Sequence, residues 1–165
     1  MKKALLLILC ILLVFSSCKK SDEEISVASA GYTCNGRIAY GNDIEISAKL
    51  KVLGGGIFKI EIISPENLSG LCFEFSENKC KTFYKDTTYE NEIVFEHIAP
   101  ISALNDVFCK LSAAQAEAEK QENGLVFKCS YNGSPATFLI NENGFPKSLE
   151  IPNINLKAEF WDWKY

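Results

Sequence analysis

The sequence predicts a mainly β domain of the α+β class: a curled antiparallel sheet of about nine strands, an unclosed half-barrel with a short helix as its lid. Three observations predict it. From Asp43 to Leu53, the residues Ile44, Ile46, Ala48, Leu50 and Val52 alternate with Asp43, Glu45, Ser47, Lys49 and Lys51. That period belongs to a strand with one face in a core and one in water. Asn-Gly dipeptides at 123–124, 132–133 and 143–144 punctuate strand-like runs, and Asn-Gly is the strongest short hairpin-turn signal. One stretch alone has helical spacing, with Ile101, Leu104, Val107, Phe108 and Leu111 on a single stripe.

The curl follows from widths. About nine strands ~4.8 Å apart would make a flat sheet more than ~40 Å wide. A helix over Ile101–Leu111 is only about 17 Å long. It cannot cover so wide an apolar face, so the sheet must wrap around it. A half-barrel of that kind readily leaves an apolar groove between sheet and lid.

Taken in order, the chain opens with Lys2-Lys3 and an apolar run of twelve residues, Ala4 to Phe15. That is too short for a transmembrane helix, which needs about 20 apolar residues. It suits a secretory signal over residues 1–17. Ser16, Ser17 and Cys18 follow, then Lys19-Lys20. Residues 18–30 are small and polar and read as a flexible tether. Residues 31–165 form the domain.

Strands are expected at Tyr32–Tyr40, Asp43–Leu53, Ile57–Ile63, Leu71–Phe75 and Lys79–Tyr84, with Gly54-Gly55-Gly56 and Ser64-Pro65-Glu66-Asn67 as breaks. Thr87–Phe95 is β-rich but ambiguous. Pro100 precedes the helix. Ala113–Glu122 is rich in helix formers, yet Ala114, Ala116 and Ala118 alternate with polar residues, and the Asn-Gly series favours a strand near Gln115–Glu122. Further strands follow near Leu125–Tyr131, Pro135–Ile140, Phe145–Ile151 and Asn155–Trp163.

Composition excludes several classes. The formal charge is −4, and −6 once Lys2 and Lys3 are removed, with no basic cluster beyond Lys19-Lys20. Nucleic acid is therefore not an expected partner. Beyond Cys10 and Cys18 the chain has Cys34, Cys72, Cys80, Cys109 and Cys129. An odd number leaves at least one free thiol. Two readings stand: small buried apolar thiols, or a Cys72–Cys80 bridge across a hairpin. No zinc-ligand spacing occurs, so no metal and no cofactor is expected. Neither GxSxG, a P-loop, HExxH nor GxGxxG is present. The single histidine, His97, lacks a nucleophile beside it in sequence. Glu45, Glu61 and Glu74 alternate with apolar positions and read as a solvated face, not an acid/base pair. No enzymatic activity is expected.

Two groups of residues remain as binding candidates. Phe58, Ile60, Phe73, Phe75, Leu104, Phe108, Leu111 and Phe127 face inward, either as plain core or as a groove for acyl chains or an apolar peptide. Trp161 and Trp163 alternate with Phe160 and so are expected on the outer face, as cover for an edge or as a contact with membrane or partner.

Phe15-Ser16-Ser17-Cys18 resembles the bacterial lipobox, in which the cysteine thiol is acylated after cleavage just before it. The resemblance makes Cys18 a lipid anchor, and two or three acyl chains hold far more firmly than one. The domain resembles the LolA/LppX-like lipoprotein-carrier superfamily, especially small clostridial-type lipoproteins. The matching phrases are Asp43–Val52 with Phe58–Ile62, Ser64–Leu71, Ala99–Leu104 and Asn143–Pro152. The resemblance implies an unclosed antiparallel barrel with a helical lid over an apolar cavity. It implies a membrane-anchored, non-catalytic envelope protein that binds a lipid or other hydrophobic ligand. Alternatively, it implies a module that docks an envelope enzyme. The expected address is the extracytoplasmic face of the cell membrane. An outer membrane stays open for a Gram-negative cell, since Lys19 is not the aspartate of inner-membrane retention.

Overall fold

A computed structural model of the chain describes residues 31–54, 56–76, 79–92, 99–113, 117–121 and 124–165. The expected signal peptide, the tether, Cys18 and His97 lie outside the described residues.

The described strands are β1 (Tyr32–Tyr40), β2 (Ile44–Gly54), β3 (Ile57–Ser64), β4 (Cys72–Ser76), β5 (Lys79–Tyr84), β6 (Thr87–Glu92), β7 (Glu117–Gln121), β8 (Gly124–Tyr131), β9 (Ser134–Ile140), β10 (Pro146–Ile151) and β11 (Leu156–Lys164). One α-helix among the described residues, α1, spans Ala99–Ser112. It begins two residues before the expected start because Pro100 lies in its first turn, where a missing N–H leaves no bond unmade.

All strands join one antiparallel sheet in the order β6-β5-β4-β3-β2-β1-β11-β10-β9-β8-β7. Two meanders therefore run outward from a central seam, where β1 pairs with β11. The helix connects the two outermost strands. It packs on both β3 and β8, which stand six positions apart in the sheet. On a flat sheet that separation is ~29 Å, while a helix with its side chains is about 10–12 Å across. The sheet must be curled around the helix, which is the half-barrel expected.

The sheet has eleven described strands, not about nine. The two ambiguous runs both became strands, β6 and β7, and both lie at the edges. Edge strands carry charge because an apolar edge would pair with other chains, and that charge blurs the alternation that identifies a strand. Pairing decides against the helical propensity of Glu117–Gln121: it runs in register with β8 from Glu117↔Lys128 to Gln121↔Gly124, and Lys128 Nζ meets Glu119 Oε1 at 2.8 Å.

The core lies on the concave face. Ile38, Leu50, Ile60, Phe58 and Phe75 from the first meander meet Phe138, Ile140, Leu149, Leu156 and Phe160 from the second, with α1 between. Ile44 shares the inward phase of β2 yet is 49 % exposed, since it lies at the strand's outer end. At the seam Gly36 pairs with both Ala48 and Phe160. A Cβ there would come within 2.8 Å of Leu50 Cδ1 and 3.2 Å of Phe160 Cδ1; glycine lets these chains close over the strand.

The Cys72–Cys80 bridge does not form: both thiols are free. In the β4–β5 hairpin Cys72 stands opposite Phe83 and Cys80 opposite Phe75. Cys80 thus shares the core face with Phe75, while Cys72 shares the outer face with Glu74. Residues on opposite faces of a sheet cannot be bridged without moving the backbone. Cys34 is also free and buried, in the core, as the reading of buried apolar thiols expects.

Gly124 opens β8 in a tight place. Its φ is +134° and a Cβ would lie 1.9 Å from the Ile140 carbonyl oxygen. Gly124→Ala should cost about 3 kcal/mol or more, whereas Gly133→Ala, in open space at φ +77°, should cost about 1 kcal/mol. Urea denaturation of the two variants measures the difference.

Candidate functional site

The stripe expected on α1 is the one that is buried. Ile101, Ala103, Leu104, Val107, Phe108 and Leu111 all lie inward. Phe108 is the centre of the contact. Its ring stacks on Phe58 of β3 at 5.2 Å and meets Phe138 of β9 edge-on at 5.1 Å and Phe160 of β11 at 5.4 Å. Such pairs add about 0.5–1.5 kcal/mol each beyond the area they bury. The polar side of the helix fastens it as well: the Lys110 ammonium donates to Asp106 Oδ2 at 2.7 Å and to the Ser130 carbonyl of β8.

Phe58, Ile60, Phe73, Phe75, Leu104, Phe108, Leu111 and Phe127 are brought together in one core cluster. None is more than 8 % exposed. These eight side chains therefore offer little surface to water. Phe108 of α1 lies among them. No polar or charged residue is buried among the described residues.

The two tryptophans part company. Between Thr33↔Lys164 and Asn35↔Trp161 the strand β11 carries one extra residue. Asp162 absorbs it in the left-handed region, at φ 56°, with its carboxylate accepting from Asn35 Nδ2 at 3.1 Å. This bulge reverses the alternation. Trp161 points outward as expected, 39 % exposed. Trp163 turns inward and stacks on Phe145 at 5.2 Å.

Around Trp163 stands a ring cluster that the sequence pattern did not reveal. Tyr32 meets Phe145 at 5.8 Å and Trp163 at 5.3 Å, both edge-on, and Phe145 meets Tyr165 at 5.2 Å. The cluster closes the end of the half-barrel at which β1 begins. The Tyr32 hydroxyl is buried with no hydrogen-bond partner. Burial holds its pKa well above the usual range, with smaller contributions from Cys34 and Tyr165. Burial likewise pushes the Cys34 thiol up to about 12 and the Cys80 thiol up to about 11. These are inert thiols, since the reactive form is the thiolate.

Elsewhere the outer face is a solvated one. Glu45 pairs with Arg37 at 3.6 Å and Glu74 with Lys59 at 3.7 Å. No group of three or more His, Cys, Asp or Glu able to hold a metal occurs among the described residues. A surface depression of ≈ 330 Å³ lies at the end of the sheet away from Tyr32, between Gly41, Pro152 and Asn155.

No family model matches the chain, and no curated protein matches it. Solved structures do. An uncharacterized conserved protein from Thermus thermophilus superposes with a TM-score of 0.52 at 12 % identity, over 82 % of this chain and 78 % of that one. A LolA superfamily protein from Nitrosomonas europaea gives 0.46 at 10 % identity, over 86 % and 88 %. A chain in the structure of the CwlD amidase from Clostridioides difficile in complex with the GerS lipoprotein gives 0.48 at 16 % identity, over 92 % and 94 %. The likeness is one of fold. What is shared is an open antiparallel sheet with a helix in its curve.

Two outcomes follow. Phe108→Ala should destabilise the domain by about 3–5 kcal/mol, read as a lowered urea midpoint, while Phe83→Ala on the outer face should cost far less. Alkaline pH should also weaken the fold. An unfolded thiol ionises from near 9 while folded Cys80 keeps its proton to about 11, so the folded state binds more protons and stability falls as pH rises from 9. Urea midpoints at about pH 8 and about pH 11 measure this, and Cys80→Ala should make the fall shallower.

Proposed function

We propose that the chain is an envelope lipoprotein, acylated at Cys18, whose domain acts by binding and not by catalysis. Its working surface is the outside of the sheet, where it presents itself to a partner protein of the envelope. The observation that supports this reading is the low exposure of the inward face: Phe108 and the other seven inward candidates lie in one core cluster, none more than 8 % exposed. A domain whose inward face is so little exposed has chiefly its convex side and its rims to offer. The lipobox-like Phe15-Ser16-Ser17-Cys18 supplies the anchor. The carboxylates of Glu45 and Glu74, paired with Arg37 and Lys59 on that outer face, fit a surface for recognition.

A second reading has its own support. The interior is wholly apolar among the described residues, so a displaced helix would uncover an apolar trough fit for acyl chains. Uptake would then require α1 to leave the sheet, at the cost of the Phe108 contacts and the Lys110 bonds.

One experiment separates them. A photo-crosslinking residue is placed at Ser47 or Glu159 on the outer face, or at Ile60 inside, in the full chain in its own membranes. The presentation reading expects a single protein adduct from the outer positions and none from Ile60. Lipid adducts from Ile60, abolished when an engineered disulfide locks α1 to β8, would instead establish the ligand reading.

A further inference from the structure

The end of the half-barrel where β1 begins differs from the rest of the outer surface. Across its first row, register places Lys164 of β11, Thr33 of β1, Lys51 of β2 and Lys59 of β3 side by side. The next row is Trp161, Asn35, Lys49 and Glu61. Residues directly paired in a sheet share a face, so three or four ammonium groups and an indole lie together. Lys59 is paired with Glu74. Lys49, Lys51 and Lys164 have no carboxylate within ion-pair distance among the described residues. Of the nearby acids, Asp162 is held by Asn35, Glu61 stands across from Lys49, and Glu142 lies exposed in the turn before β10. At the same end Leu53 is 44 %, Trp161 39 % and Tyr165 86 % exposed.

This is a basic row edged with exposed apolar and amphipathic side chains, on a protein of net charge −4. Indole and phenol rings favour the boundary between headgroups and acyl chains, and lysines at that level are drawn to anionic lipid. The position of the row matters as much as its composition. Gly31, which leads into β1, is thirteen residues beyond Cys18. A random coil of that length spans about 20 Å on average. With Cys18 acylated and residues 18–30 a flexible tether, this end, and not the depression at Gly41 and Asn155, would be the one within reach of the headgroups.

We infer that this rim is a membrane-facing surface: Lys49, Lys51 and Lys164 rest on anionic headgroups with Trp161 and Leu53 dipping to the interface, so that the anchored domain stands in one orientation. The inference rests on the acyl anchor at Cys18. The orientation would leave the far end of the barrel and most of the convex face turned to the partner.

The chain has two tryptophans, one outward and one packed inside, which makes its own fluorescence a local reporter. Full-length acylated protein is reconstituted into phosphatidylcholine vesicles with or without phosphatidylglycerol, each containing brominated lipid. In anionic vesicles Trp161 emission should shift to the blue and lose about half its intensity, and Trp161→Phe should remove the quenched component, leaving Trp163 silent. Lys51→Glu with Lys164→Glu, both exposed and so compatible with folding by circular dichroism, should restore the emission. An anchored chain whose Trp161 stays unquenched in anionic vesicles overturns the inference, as does quenching indifferent to phosphatidylglycerol and to the lysines. The intact mass reads the anchor separately: a chain without the diacylglyceryl addition overturns the anchor and the orientation with it.

Discussion

Everything in the architecture depends on one contact, that of Phe108 with rings from three distant strands. A sheet of eleven strands carries far more apolar surface than a helix of fourteen residues can cover. Flat, it would expose most of that surface to water at a cost proportional to the area. Curling removes the problem only if something fills the curve, because interiors are packed without voids. Phe108 sits where Phe58, Phe138 and Phe160 converge, and the sheet closes to the radius those rings permit.

The seam between β1 and β11 is the second constraint. It joins the beginning of the domain to its end, so neither meander is finished until both are made. Two local devices shape it. Gly36 lets Leu50 and Phe160 close over the strand from either side. Asp162, in a left-handed conformation, takes up an extra residue and turns Trp163 into the barrel's end. Without the bulge both tryptophans would face water. With it, one seals the ring cluster against Tyr32 and Phe145, and the other stays outside. The buried, unpartnered Tyr32 hydroxyl is the counterpart of this seal, since a phenol costs free energy there unless its ring packing compensates.

Most of the fold was legible in the sequence for a physical reason. Strands with one wet face must alternate, and β2 does so from Ile44 to Val52. Tight hairpins need a left-handed residue, and Asn132-Gly133 supplies two, at φ 48° and 77°. The stripe on α1 was legible because it is buried on one side only. Edge strands were not, since their charges guard against pairing and erase the pattern. The site was legible in its membership and not in its state. That Phe58, Phe75 and Phe108 converge followed from alternation and helical spacing; how closely they pack depends on the radius of the curl, which no local pattern encodes. Trp163 was misplaced because a bulge at an aspartate has no signature in alternation.

A buried inward face changes what an anchor means on this fold. An open half-barrel beside a membrane can exchange apolar cargo with it, because the trough and the bilayer offer similar surroundings. Here such exchange would need α1 to leave the sheet, though its Lys110 is held to Asp106 and β8 and its aromatic contacts would be lost together. Two acyl chains at Cys18, as proposed, would keep the domain at the bilayer far longer than its basic rim alone. The rim then decides orientation, not attachment. On the proposed reading, attachment would fix where the domain is, orientation would fix which side faces the envelope, and the outward side would be left as the surface for recognition.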